Sequence, residues 1–325
     1  MEISAEIVEK IRLLEEKFAR TGQDILSYLD GLIHAEYLSY WDYIALDTLL
    51  SLQRPKTPFP DEKIFIIYHQ ITELYFNLCL HELEQLKVAS DSSQDFLTAR
   101  IMRLNNYFSA LTESFAIMID GMEKEQFLQF RMSLLPASGF QSAQYRMIEL
   151  ASAPLIQLAD KDIRESLRNS NAADEIVFSH IYWKAGATEL KSGKKTFTLV
   201  QFENKYESSL LDFSLSFKGK TLSDIYQKFE KPSLTLQKAM RQFDINVNIN
   251  WPLVHYKSAV RYLQRNPADI AATGGTNWQK YLPPRFQKRI FFPYLWSEEE
   301  TENWGKAWVL NMLNLQTESI PPARD

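Results

Sequence analysis

At 325 residues with a formal net charge of −5, the chain can bury a large core, and its interspersed acidic and basic residues point away from nucleic acid as a partner. It holds only 10 glycines, too few for a loop-rich β fold or a glycine-turned Rossmann fold when the usual share is roughly 7% of positions. The single cysteine, Cys79, excludes an internal disulfide and any cysteine-built metal cage.

The opening "MEISAEIVEKIRLLEEKF" is amphipathic and charged and lacks the apolar centre of a signal peptide. No apolar run approaches the roughly 20 residues of a membrane span, so the expectation is a soluble, cytoplasmic protein. Periodicity predicts helices over 22–52 and 62–88. The second is entered through "RPKTPFPDE", where three prolines force an extended lead and Asp61 is placed to cap the helix. Leu97, Ile101, Leu104, Phe108, Leu111, Phe115, Met118 and Met122 alternate spacings of four and three, the stripe of a long helix packed in a bundle. Further helices are predicted over 141–168, 221–243 and 249–265. "HIYWKAGATELKSGKKTFTLVQF" (180–202) gathers β-branched and aromatic residues around Ser192-Gly193 and suggests a β-hairpin or ordered loop, within an insertion over 176–220. With no repeat, low-complexity tract or flexible linker, the expected architecture is an all-α helical bundle forming a single domain, 1–325.

Chemistry is sparse. The five histidines form no H-E-x-x-H pattern, and His81-Glu82 lacks the second histidine of a zinc site. A lone helical histidine is by default a structural residue, yet two have unusual settings. His69, in "IFIIYHQITELYF", follows a turn that is apolar almost all round, so it should face an interior space. His255, in "INWPLVHYKSAVRYL", sits one turn after Trp251 with no acidic neighbour. A neutral imidazole in such a pocket suits a ligand to a large apolar cofactor, haem iron first, although core packing explains the same features. Arg131 follows "FLQF", and an arginine among aromatics calls for an anion: a bidentate carboxylate, or a structural partner such as Glu123. After it comes "RMSLLPASGFQSAQYR" (131–146), a small, uncharged bend between Arg131 and Arg146. "AATGGTNWQKYL" (271–282) holds the one Gly-Gly pair; it is no P-loop, but its Thr-Gly-Gly turn could offer a hydroxyl and backbone amides to a ligand.

Taken in order, "YWDYIALDTLLSLQ" (40–53), "DEKIFIIYHQITELYFNLCLHEL" (61–83), "FLQFRMSLLPASGFQSAQYRMIE" (127–149), "WPLVHYKSAVR" (251–261) and "TGGTNWQKYL" (273–282) resemble the tryptophan 2,3-dioxygenase family. The F-x-x-F-R…P-A-S-G-F-Q-S string is long and specific.

The resemblance implies an all-helical enzyme with one haem b per subunit, a homotetramer or dimer, that inserts both atoms of O2 across the indole C2–C3 bond in tryptophan catabolism by the kynurenine route. Carried onto this sequence, His255 would be the axial iron ligand, with Trp251, Ser138 and Gly139 lining the haem. His69 would lie on the distal face and hydrogen-bond the indole N–H, and Phe65 and Phe127 would wall the indole. Arg131 would hold the substrate carboxylate, and Thr273 its ammonium and carboxylate. Tyr40 and Tyr43 would lie at an inter-subunit contact. The small residues of the bend would let a planar macrocycle approach the backbone.

The chain departs from the family pattern in several places. Trp278 stands where the family has a glycine and Pro283 where it has an arginine, extra residues in "QRNPADIA" separate His255 from Thr273, and Tyr75 replaces the first aromatic of E-L-W-F. These changes bear on the substrate, so two other readings stay open: a haem enzyme acting on another aromatic amino acid, such as tyrosine or a substituted tryptophan, and a non-catalytic haem sensor.

Overall fold

A computed structural model describes residues 3–35, 38–91, 93–134, 141–187, 194–263 and 288–305. The chain divides into two compact units, Met1–Arg54 and Pro55–Asp325. No β-strand forms among the described residues, and the all-α expectation holds.

The first unit holds α1 (Ala5–Ala19), α2 (Ile25–Ile33), α3 (Tyr40–Tyr43) and α4 (Leu46–Leu50). Ser4, Asp24 and Ser39 start the first three by accepting from backbone N–H groups of their first turns. The single helix expected over 22–52 is therefore three shorter ones, and between the last two Ala45 takes a left-handed φ of 49° that no helix continues through. None of these helices has a buried residue.

In the second unit, α5 (Asp61–Val88) packs on α6 (Gln94–Ser114), which breaks at Phe115 and continues as α7 (Ala116–Asp120). All eight residues of the predicted stripe are buried despite that break. Buried Glu82 ties α5 to α6 by accepting from Arg100 and Arg103, each at 3.0 Å. Asp61 does not cap its own helix. Its carboxylate accepts the Glu123 N–H at 2.6 Å at the start of α8 (Lys124–Phe130), while Glu62 takes the N–H groups of Lys56 and Thr57, both at 2.7 Å.

A tight 3-10 turn, Arg131–Leu134, ends α8. The helix expected over 141–168 appears as α9 (Ala143–Ser152), a 3-10 turn at Leu155–Leu158 and α10 (Arg164–Asn169), since Pro154 has no N–H to continue α9. Next come α11 (Asp174–Ser179), α12 (Tyr182–Gly186) and α13 (Phe197–Ser216). The last two correct the hairpin expected over 180–202: its flanks are helical, with Thr196 capping α13, and Ser192-Gly193 lies outside the described residues. Pro232 likewise splits the 221–243 prediction into α14 (Leu222–Gln227) and α15 (Leu234–Ile245). A π turn, Asn246–Asn250, joins α15 directly to α16 (Trp251–Leu263), and α17 (Glu298–Glu302) follows the returning segment. The core lies where α5, α6, α9, α15 and α16 meet.

Candidate active site

His69 lies on α5, one turn after Phe65. Its Nδ1 is 2.7 Å from the Phe65 carbonyl oxygen, and because a carbonyl only accepts, Nδ1 carries the proton. Nε2 is then the ring's lone-pair acceptor. Burial pushes the imidazole below its ordinary pKa, with the Phe65 carbonyl and Glu73 pulling the other way. The Phe65 ring lies 4.1 Å from the imidazole, centroid to centroid. That same ring meets α8 through Phe127 at 6.2 Å and, edge-on, Phe130 at 5.8 Å. Arg131 is the next residue and is 7% exposed, and burial lowers the pKa of its guanidinium. α5 and α8 thus bring Phe65, His69 and Phe127 together, and Arg131 opens the turn that ends α8.

His255 comes from α16. Its Nδ1 lies 3.0 Å from the Trp251 carbonyl oxygen, so by the same argument Nδ1–H donates and Nε2 keeps its lone pair. The ring sits 4.4 Å from Phe115 and 4.4 Å, edge-on, from Trp251. Burial, with a smaller push from His69, holds its pKa down at about 4 against the pull of the Trp251 carbonyl. Aromatic contacts link their helices through neighbouring elements: Tyr68, 6.3 Å from His69, meets Phe115 edge-on at 5.6 Å, and Phe127 of α8 packs at 4.5 Å on Tyr262.

Other expected residues fall elsewhere. Ser138, Gly139, Thr273, Trp278 and Pro283 lie outside the described residues. Tyr40 and Tyr43 are exposed on the first unit. Tyr75 packs, half-buried, against the core. Glu123, weighed as a partner for Arg131, accepts from Gln126 at 2.8 Å. Arg146, at the far edge of the bend, serves a buried cluster instead: it donates to Glu149 at 2.9 Å and to the Tyr182 hydroxyl at 2.8 Å, and Arg289 joins the same two groups. Tyr262 escaped the sequence reading although it stands two turns beyond His255 on the same helix, and its hydroxyl donates to Ile119 and Met122 carbonyls at 3.1 and 3.3 Å.

A neutral imidazole with an available Nε2, a fixed ring plane and aromatic walls has what an axial haem ligand needs. Among the described residues no three His, Cys, Asp or Glu side chains come together as a metal cage. The residues fit haem.

Comparison with known proteins agrees. The tryptophan 2,3-dioxygenase family model matches residues 32–242, a stretch that includes Phe65, His69, Phe127, Arg131, Ser138 and Gly139 and ends before Trp251, His255 and Thr273. The chain is 29% identical over 275 residues to the tryptophan 2,3-dioxygenase of Pseudomonas fluorescens, covering 81% of this chain and 90% of that one. To the tryptophan 2,3-dioxygenase of Bacillus thuringiensis subsp. konkukian it is 28% identical over 277 residues, covering 82% and 94%. A shorter match, 38% over 121 residues, covers 37% of this chain and 45% of the tryptophan 2,3-dioxygenase of Anaeromyxobacter sp. (strain K). With a family model matched over more than half its length, the chain belongs to the tryptophan 2,3-dioxygenase family.

Proposed function

We propose that the protein is a haem-dependent dioxygenase that inserts both atoms of O2 across the C2–C3 bond of L-tryptophan to give N-formylkynurenine. One observation carries the reading: two histidines joined through the rings of Tyr68 and Phe115, each with Nδ1 engaged by a backbone carbonyl and Nε2 available. When bound, haem supplies the O2 chemistry that side chains lack.

The chain's own residues bind and orient. His255 Nε2 would hold the haem iron, and the Trp251 carbonyl and the rings of Phe115 and Trp251 fix the orientation of its imidazole. His69 Nε2 accepts the indole N–H, which fixes the ring's rotation about its own plane. Phe65 and Phe127 flank the indole and exclude water from its face. Arg131 presents its planar fork to the substrate carboxylate, and Thr273 completes the grip on the amino-acid head. By the family resemblance, Ser138 and Gly139, which lie outside the described residues, would border the haem. No proton need leave the indole nitrogen for this arrangement to work, so His69 is an orienting acceptor.

The working unit is a homo-oligomer, tetramer or dimer, with one haem b per subunit. Support comes from Ile67, Ile71, Leu74 and Leu78, which recur at spacings of four and three along α5 and are 37–54% exposed. A second copy of the chain is the natural cover for this face, and light scattering of the purified protein reads it directly. No described helix is long and apolar enough to cross a membrane, and we assign the enzyme to the cytoplasm. Residues 1–325 act as one haem-binding domain with 176–220 inserted in it.

The test is anaerobic titration of the ferrous protein with L-tryptophan, substituted tryptophans, tyrosine and tryptamine, followed by O2 and mass analysis. L-tryptophan should bind and gain two oxygen atoms. A product carrying one oxygen, or turnover of tyrosine alone, would overturn the assignment.

A further inference from the structure

The helix that carries His255 does not run straight from α15. Residues 246–250 form a π turn, whose wider i→i+5 bonding fits one extra residue into the helix. At 3.6 residues per turn, one inserted residue rotates everything after it by about 100°. The direction in which His255 points is therefore set upstream, by whatever holds this turn open.

What holds it is a buried ladder of side chains. "DINVNIN" (244–250) alternates polar and apolar residues as a strand would, and asparagine is a poor helix former, so neither pattern nor propensity asks for this helix. Asn246 is the hub. Its Oδ1 accepts from Gln242 Nε2 and Asn250 Nδ2, each at 2.9 Å, one turn back and one turn forward. Its Nδ2 donates to Asn105 Oδ1 on α6 at 3.0 Å, and Asn105 Nδ2 donates to the Ala239 carbonyl at 2.9 Å. A second rung crosses the turn where Asn248 Nδ2 donates to Asp244 Oδ1 at 2.7 Å. The Asp244 carboxylate also accepts from the Phe291 and Phe292 N–H groups at 3.0 and 3.2 Å and from Trp296 Nε1 at 3.0 Å. Asp244, Asn246 and Asn248 are each no more than 2% exposed. Buried amides and a carboxylate are costly unless satisfied, and these bond on both sides of the π turn and to the neighbouring segments.

We propose that this buried ladder around Asn246 and Asp244 fixes the rotation of α16 and thereby aims His255 Nε2 at the iron. Asp244, Asn246 and Asn248 are positioning residues that never touch haem or substrate. The inference rests on the reading of His255 as the axial ligand.

The experiment compares full-length Asn246→Ala, Asn248→Ala and Asn246→Asp with the wild type and with His255→Ala. Two readouts are taken: haem affinity of the apoprotein by titration, and the iron–histidine stretching band of the ferrous protein by resonance Raman. Asn246→Ala removes three internal hydrogen bonds and should bind haem at least about tenfold more weakly, the factor that one such bond carries, and should shift or lose the band. Added imidazole should restore a ligated spectrum, because the haem cavity itself is intact. Asn248→Ala should shift the band in the same sense. Asn246→Asp keeps both acceptor bonds across the turn but sets an oxygen against Asn105 Oδ1 in place of the donor, so it should shift the band too, whereas the exposed Lys257→Ala on α16 should keep it. If Asn246→Ala fails to fold, the other two variants decide. A wild-type band and affinity in Asn246→Ala and Asn248→Ala overturn the inference, as does a wild-type band in Asn246→Asp. An unchanged band in His255→Ala is a different result: it would remove the ligand assignment itself.

Discussion

His69 and His255 engage their Nδ1 atoms in the same way, each donating to the carbonyl oxygen of the residue four positions earlier, Phe65 at 2.7 Å and Trp251 at 3.0 Å. The shared geometry fixes both tautomers and leaves both Nε2 atoms as acceptors. One such atom suits a metal and the other suits an N–H group. Burial, the largest influence on both rings, keeps them neutral at pH 7, since a group pushed down to about 4, as His255 is, carries almost no proton there.

If His255 Nε2 holds the iron, His255→Ala should lose or strongly weaken haem retention while the helical content stays. The measurement is the Soret band and the haem content per chain of the purified variant. An unchanged spectrum with unchanged haem content would end the assignment.

Replacing His69 distinguishes an orienting acceptor from an obligatory base. His69→Ala removes one hydrogen bond to the indole, so kcat/KM should fall about tenfold with turnover still measurable. 1-Methyl-tryptophan should be poor mainly because its methyl group collides with the imidazole. Abolished turnover with haem and substrate binding intact would point to obligatory proton transfer.

Cys79 is fully buried on α5, and burial, then Glu82, push its thiol well above the usual range. The thiolate is the reactive form, so the native protein should not react with thiol reagents near about pH 8. One equivalent of label should be taken up after denaturation, and rapid labelling of the folded protein would contradict the burial.

Much of this fold could be read from the chain because apolar spacing and burial are the same fact seen twice, as in the stripe from Leu97 to Met122. The two histidines stood out because their neighbours were apolar and their acids absent. Helix ends were harder. Pro154 and Pro232 break runs whose periodicity looked continuous, and Ala45 breaks one with no proline to signal it. Arg146 was indistinguishable from Arg131 in sequence, because its partners Glu149, Tyr182 and Arg289 converge only in three dimensions. The π turn was hidden for a different reason: its alternating asparagines imitate a strand, and their buried hydrogen bonds to Asn105, Asp244 and one another show only in the fold.

Asp244 should leave a mark on the pH dependence of stability. Burial pushes its carboxyl from 3.8 up to about 6, against the pull of its four N–H donors. Between those values the native state keeps a proton that the unfolded chain has released. The native state is therefore favoured most at the acid end, and that advantage is lost as pH rises through about 6. At 1.36 kcal/mol per pH unit the effect is at most about 3 kcal/mol. Asp244→Asn does not titrate, so its stability deficit against wild type should be larger near about pH 4.5 than near about pH 7.5 in urea melts. A deficit that grows with pH would reverse the sign and show that the carboxylate is held ionised.

Arg131 separates an amino-acid enzyme from any protein that merely binds haem. Arg131 directly follows Phe130, and Phe127 and Phe130 pack on Phe65; in the proposed function its guanidinium meets the substrate carboxylate. A charge-assisted bond from it to a carboxylate contributes about 1.5–3 kcal/mol, a factor of roughly 10 to 150 in affinity. Tryptamine and indole lack that carboxylate and should bind the ferrous protein more weakly than L-tryptophan by that factor. Arg131→Ala should remove the preference by weakening L-tryptophan and leaving tryptamine little changed. Arg131→Lys should not restore it, because a lysine ammonium is a point charge and cannot offer two parallel N–H bonds to the carboxylate plane. Haem content should stay normal in both variants, which keeps loss of the clamp distinct from loss of the cofactor. Equal binding of tryptamine and L-tryptophan by the wild type would show that Arg131 serves the fold and leaves the substrate head to other groups.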